Sequence, residues 1–216
     1  MIVHDFTPPD YMDMGVRIGD AIHNLRSVLD ASVWHLSILG SGQDPPPAIN
    51  GRKPQFPIFD SVKEFESVGL DMIGSVEDAP GTIIKDSQPC YSRRNPREAH
   101  PLTLLARISN RDKHRVVVPM AVIPHTIESD SKIELDEGVE FLGIDYTDAT
   151  LENGTVALTV RFDRPTRVNM NLGISTPITF NLVALGYSEG FAPYGEVVNA
   201  IAEETDAILR ALRPFF

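Results

Sequence analysis

The chain has 216 residues, 42% of them hydrophobic and 23% charged, with a formal net charge of −11. That composition excludes a disordered, collagenous or coiled-coil chain. The acid surplus excludes bulk attraction to DNA or an anionic membrane, which rests on many lysines and arginines facing phosphate.

In chain order, the first predicted element is a helix over 10–39. Ile18, Ile22, Leu25, Leu29, Val33 and Leu36 recur at spacings of four and three, the period of a buried helix stripe. Thr7-Pro8-Pro9-Asp10 supplies a start signal and Gly40-Ser41-Gly42 a stop. The proline-rich stretch that follows is expected to be extended and irregular, because its prolines fix φ and remove donors. A short helix is predicted over 61–68, with Ser61 as N-cap and Glu64 completing a capping box. Residues 69–96 carry few periodic signals and predict a long loop with short turns. His100-Pro101 opens a second long helix running to about Arg115, since proline suits a first helical turn. Strands are predicted near 116–123, 131–135, 138–145, 155–163, 166–172 and 176–185, with Glu152-Asn153-Gly154 as a hairpin turn. A closing helix spans 193–212, its stripe formed by Val198, Ile201, Thr205, Ile208 and Leu212.

This order predicts an α+β fold in a single domain over 1–216. Its helical part, 1–115 plus 191–216, is a small bundle of two N-terminal helices and the C-terminal helix. A β-meander over 116–190 forms an inserted antiparallel sheet of about five to six strands. No apolar run approaches the roughly 18 residues of a membrane span. The opening MIVHDFTPPD has neither a basic n-region nor an apolar h-region, which predicts no secretory signal. One cysteine, Cys90, excludes an internal disulfide and a cysteine-based zinc cluster. A soluble, cytoplasmic protein is the expectation.

Charge is uneven along the chain. Eight basic residues face three acidic ones between Lys85 and Arg115, whereas Thr126 to Glu152 holds nine acidic residues and one lysine. This predicts either a solvated acidic strand face beside a basic helix, or an anion site within a repelling surface.

Both long helices carry a polar stripe. His23, Arg26 and Asp30 are spaced i, i+3, i+7, so all three can meet one partner, and Arg26 can reach Asp30. On the second helix Thr103, Arg107, Asn110 and His114 share one face, with Arg111 adjacent. If the helices are antiparallel neighbours, His23, Arg26 and Asp30 face Asn110, Arg111 and His114 across one pocket. Such a cluster is either a helix-pinning network or a ligand site.

Over residues 15–118 the sequence resembles an uncharacterised bacterial and phage family. The motifs are Gly19-Asp20-Ala21-Ile22-His23-Asn24-Leu25-Arg26-Ser27-Val28-Leu29-Asp30 and Asn110-Arg111-Asp112-Lys113-His114-Arg115. Phe56-Pro57-Ile58 and Gln88-Pro89 look like that family's connecting signatures. A histidine often follows the aspartate there, but Ala31 stands in its place here, which argues against a metal site. More loosely, Arg107, Asn110 and His114 are similar to the arginine–polar–histidine mark of HEPN helical bundles, many of which are metal-independent ribonucleases or inactive nucleotide binders. This chain has six residues between Arg107 and His114, the edge of that spacing. The resemblance implies His114 as general acid/base, Arg107 stabilising a phosphorane, and a cleft at a homodimer interface.

Other chemistries find less support. His23, Asp30, His35, His100 and His114 include no H-E-x-x-H or H-x₃-H pair for a metal. No P-loop or dinucleotide fingerprint is present, and no cofactor is expected. Ser27 and His23 lack an oxyanion loop. Cys90 lies close in sequence to Arg93 and Arg94, whose charges would lower its pKa.

The expectation is therefore a binding or interaction protein, of phage or mobile-element origin, with a His/Arg/Asp network between two helices. The alternative is a HEPN-like metal-independent ribonuclease or small-anion-processing enzyme. It would use His114, Arg107 and His23 in catalysis and Arg26, Asp30, Asn110 and Arg111 in binding. Expected partners are a second copy, a small anion or RNA, with no membrane and no bulk DNA.

Overall fold

A computed structural model of the chain describes residues 7, 10–92, 99–113, 120–122, 126–127, 132–147, 151–171, 174–188 and 190–216. The fold is α+β, with helices flanking an antiparallel β region in the chain. It divides into two compact units. One joins Met12–Val118 to Gly195–Phe216, and the other centres on Pro119–Tyr194.

The helical unit begins with α1 (Tyr11–Ser41). Ile18, Ile22, Leu29, Val33 and Leu36 of its apolar stripe are buried, and Leu25 is half-buried. The helix ends where Gly42 adopts φ +66°, and the Gly42 N–H caps the Ile38 carbonyl at 2.8 Å. A connector without helix or strand follows over 53–59. Then come α2 (Val62–Glu64), a π turn (Phe65–Gly69) and α3 (Leu70–Met72) in one unbroken run. The Ser61 hydroxyl accepts from the Glu64 N–H, the cap that the sequence predicts.

Residues 69–96 are not the long loop expected. They contain α3, α4 (Asp78–Asp86) and a 3₁₀ turn at Pro89–Tyr91. Only Pro80 and Ile84 of α4 are buried, so nine residues are too few to show a periodic stripe. Next, α5 (Pro101–Lys113) buries Leu102, Leu105 and Ile108. The last helix, α6 (Tyr194–Leu212), buries Val197, Ile201, Thr205, Ile208 and Leu212. Val197, and not Val198, begins the stripe, because a spacing of four carries the face back from Ile201. A final 3₁₀ turn, Arg213–Phe215, brings the Phe216 ring to 5.8 Å from that of His35 on α1.

In the β unit the strands nest. β1 (Met120–Val122) pairs with β8 (Ile178–Asn181), and β2 (Thr126–Ile127) with β7 (Ile174–Ser175). β3 (Lys132–Leu135) pairs with β6 (Val168–Asn171), and β4 (Phe141–Tyr146) with β5 (Leu158–Phe162). The result is one long antiparallel ribbon in four ladders, with β9 (Phe191–Pro193) added beside β8. Only β4–β5 and β8–β9 pair as sequence neighbours; β1, β2 and β3 pair with β8, β7 and β6, which a meander would not do. Its tip closes through Glu152–Thr155, where Gly154 takes φ +94°. Alternation alone could not separate the two pairings, since it marks which residues share a face but not which strand lies alongside. The tip segment returns to the base of the ribbon. The Leu151 N–H donates to the Val122 carbonyl at 2.8 Å, and Leu151, Ala157 and Val122 form a small core with Ile178. In the β3–β6 ladder Ile133 pairs with Met170 and Leu135 with Val168 on one face. The opposite face is polar, and Asn169 donates to Glu134 at 3.0 Å.

Among the described residues no helix is long and apolar enough to cross a membrane.

Candidate functional site

The connector between α1 and α2 sets the problem that the polar residues solve. Pro54, Phe56 and Pro57 are buried. The two prolines lack N–H groups and have a fixed φ, so no regular ladder forms there. Phe56 is left with a backbone N–H and C=O that must find partners away from water.

Two side chains of α1 supply them. Arg26 and Asp30 stand one turn apart, at the border of the buried stripe. Arg26 Nη2 donates to the Phe56 carbonyl at 2.6 Å, and the Phe56 N–H donates to Asp30 Oδ1 at 2.9 Å. The pair is itself bidentate, with Arg26 Nε 3.1 Å from Asp30 Oδ2 and Nη2 2.9 Å from Oδ1. Side-chain exposures are 14% for Arg26 and 35% for Asp30. Donor and acceptor thus satisfy both backbone polar groups of one residue, as the opposing residue of a neighbouring β-strand would.

The other end of the connector is tied to α5. The Thr103 hydroxyl donates to Asp60 Oδ1, and Arg107 Nη2 lies 3.5 Å from Asp60 Oδ2. Arg26 and Asp30 of the first stripe and Thr103 and Arg107 of the second therefore turn toward the connector that runs from Pro54 to Asp60. Arg26 and Asn110 share a cavity of about 170 Å³ with Gln55, Phe56, Phe59 and Ser109, completed by Ile58, Met72 and Ala106.

The expected site residues fall in different places. Arg26 and Asn110 line this cavity; Asp30 sits behind Arg26 as its ion-pair partner. Arg107 is held by Asp60 and is absent from the cavity wall. His23 is exposed, its Nε2 3.4 Å from the Ser27 hydroxyl on the same helix. Arg111 is half-buried on α5 and does not line the cavity. His114 lies outside the described residues. Among the described residues no three His, Cys, Asp or Glu side chains gather as a metal site.

Three participants carry no strong sequence signal. Asp60 sits just before the Ser61 cap, where an acidic residue is commonplace. Gln55 and Ser109 are ordinary polar residues at the connector and on a helix. Only Phe56-Pro57-Ile58 stands out as a motif.

Cys90 differs from expectation. Burial pushes its thiol up from the ordinary range, and the nearby Asp60 and Glu66 carboxylates raise it further, against a lowering backbone hydrogen bond. The arginines at 93 and 94, expected to activate it, lie outside the described residues.

Comparisons of the chain with family models, with curated proteins and with solved structures find no match.

Proposed function

We propose that the chain is a binding or interaction protein whose helical unit carries the ligand cavity bounded by α1, the connector and α5. The observation that carries this reading is the Arg26–Asp30 clamp on the Phe56 peptide. The strongest charged pair near the cavity is engaged in holding the cavity's own wall. A guanidinium bound to a carboxylate and a carbonyl has little positive charge to offer a developing phosphorane. Arg107 lies 3.5 Å from the Asp60 carboxylate, which offsets part of its charge. The exposed His23 stands apart from the cavity lining. These placements speak for binding and against a HEPN-like ribonuclease or small-anion-processing enzyme. A cytoplasmic setting fits the one cysteine, which the surroundings keep as a thiol.

The test is a metal-free cleavage assay on single-stranded RNA with the purified full chain, its His114→Ala variant and its Arg107→Ala variant. No cleavage above the buffer blank is expected from any of the three. Cleavage by the parent chain that disappears in both variants would overturn the reading.

A further inference from the structure

Just before the connector the chain reverses in two residues. Ile49 and Arg52 exchange both backbone hydrogen bonds, at 3.0 and 2.8 Å, across Asn50 and Gly51. Asn50 lies at φ +49° and Gly51 at φ +77°, so both central residues are left-handed, as a type I′ turn requires. Asparagine and glycine tolerate that geometry best. The same pair has a chemical liability. The Asn50 side-chain carbonyl carbon and the Gly51 nitrogen can close a five-membered ring, because glycine puts no Cβ in the way. Both residues are exposed, and the space where a Gly51 Cβ would stand is open to 4 Å. Among the described residues no backbone carbonyl accepts from the Gly51 N–H, so water reaches the nucleophile.

One contact restrains the amide. Asn50 Nδ2 donates to Asp71 Oδ1 at 3.0 Å, which ties the turn to α3. Ring closure needs the Asn50 side chain to swing over the Gly51 nitrogen, and that swing breaks the tie. The bond therefore lowers the population of the reactive rotamer. The tie also borders the cavity of the helical unit. Met72 follows Asp71, its carbonyl accepts from the Gln55 N–H at 3.4 Å, and both Met72 and Gln55 line the cavity.

We propose that Asn50 is a self-modification site, converted through a cyclic imide to aspartate and isoaspartate, and that Asp71 governs its pace. The Gly51 nitrogen attacks Asn50 Cγ. The N–Cγ bond forms, the Cγ–Nδ2 bond breaks, and the amide nitrogen leaves as ammonia with the proton that Gly51 gives up. Water then adds across one of the two C–N bonds of the imide. Opening at Cγ gives aspartate, and opening at the backbone carbonyl gives isoaspartate. Nothing is oxidised or reduced, and water is the only co-reactant. Either product places a carboxylate where the amide stood, beside Asp71, so an attraction becomes a like-charge repulsion. Isoaspartate also lengthens the main chain of the turn by one carbon. The modified chain thus loses the tie between the turn and α3.

The experiment ages the full chain, its Asp71→Ala variant and a synthetic peptide of residues 47–55 side by side in mildly alkaline buffer at physiological temperature. Peptide mass mapping scores the exchange of ammonia for water at residue 50, and chromatographic retention separates isoaspartate from aspartate. The synthetic peptide should convert fastest and the parent chain slowest. Asp71→Ala should convert about three- to tenfold faster than the parent, the range that one net hydrogen bond gives. Asn153–Gly154, the other Asn-Gly pair of the chain, belongs to the β unit and serves as an internal reference whose rate Asp71→Ala should leave unchanged. Asn50→Asp, which makes one product directly, should melt roughly 2–4 °C below the parent. The inference is overturned if residue 50 of Asp71→Ala is intact when the peptide is fully converted, or if parent and variant convert at one rate. Equal acceleration at Asn153 also overturns it, because the variant would then act by general loosening. An unshifted midpoint for Asn50→Asp overturns the loss of the tie.

Discussion

Replacing Arg26 with alanine removes one half of the clamp, and the structure sets the size of the effect. The Arg26 Nη2 bond to the Phe56 carbonyl is charge-assisted and lies between a fully buried residue and a side chain 14% exposed. A bond of that kind contributes about 1.5–3 kcal/mol. The ion pair with Asp30 adds less, because a third of the aspartate is open to solvent. Its share is about 0.5–1 kcal/mol. Together these give a loss of about 2–4 kcal/mol, which at this chain length lowers the melting midpoint by roughly 6–12 °C. The assay is thermal unfolding followed by far-ultraviolet circular dichroism. Arg17→Ala serves as the control, since the Arg17–Asp13 pair has the same i, i+4 geometry but side-chain exposures of 77% and 55%. That variant should melt within about 0.5 kcal/mol of the parent chain. Equal midpoints for Arg26→Ala and Arg17→Ala would refute the reasoning, because burial and the Phe56 carbonyl are all that separate the two pairs.

Two titrating groups give further predictions. The raised Cys90 thiol should react with iodoacetamide more slowly than a free thiol near neutral pH, and Asp60→Asn should speed the reaction by removing one of the charges that raise it. Because the folded state holds this proton more tightly, its contribution to stability is complete below the thiol's ordinary pKa and is lost as pH rises through the folded value. A Cys90 alkylation rate equal to that of a small free thiol would contradict this. In the β unit, hydrogen bonds from Arg164 and from the Glu140 N–H hold the Asp163 carboxyl below the usual carboxylate range. Its contribution is present above the ordinary aspartate pKa and is lost as pH falls through the folded value. A carbon-detected NMR titration should place its midpoint below that of a free aspartate, and Arg164→Ala should move it upward; an unmoved midpoint would show that the arginine has no hold on it.

The sequence makes some parts of this molecule legible and hides others for physical reasons. Helices α1, α5 and α6 are long enough for a 3.6-residue period to repeat several times, and their ends carry recognisable signals at Gly42 and Pro101. In contrast, α4 presents two buried side chains over nine residues, too few to stand out from loop. The ribbon's strands are visible by alternation, but partner choice depends on contacts between residues as distant as Met120 and Phe180. The polar stripes are legible as stripes, because spacing on a helix fixes which side chains share a face. What they face is not. The sequence suggests helix against helix, whereas the partner of Arg26 and Asp30 is the backbone of Phe56, and that of Thr103 and Arg107 is Asp60. A main-chain partner leaves no side-chain signature, apart from the prolines that deprive its neighbours of donors.

The most direct test of the clamp is native-state hydrogen exchange at the Phe56 amide. In the parent chain that N–H donates to Asp30 Oδ1 at 2.9 Å, and it should exchange orders of magnitude more slowly than an unstructured amide. In Asp30→Ala the acceptor is gone, and protection should fall by at least about tenfold, since each factor of ten corresponds to about 1.4 kcal/mol. Amides on the far side of α1 should keep theirs. If the Phe56 amide of the parent chain exchanges as freely as an unfolded peptide, Arg26 and Asp30 do not hold the connector and are available for other chemistry.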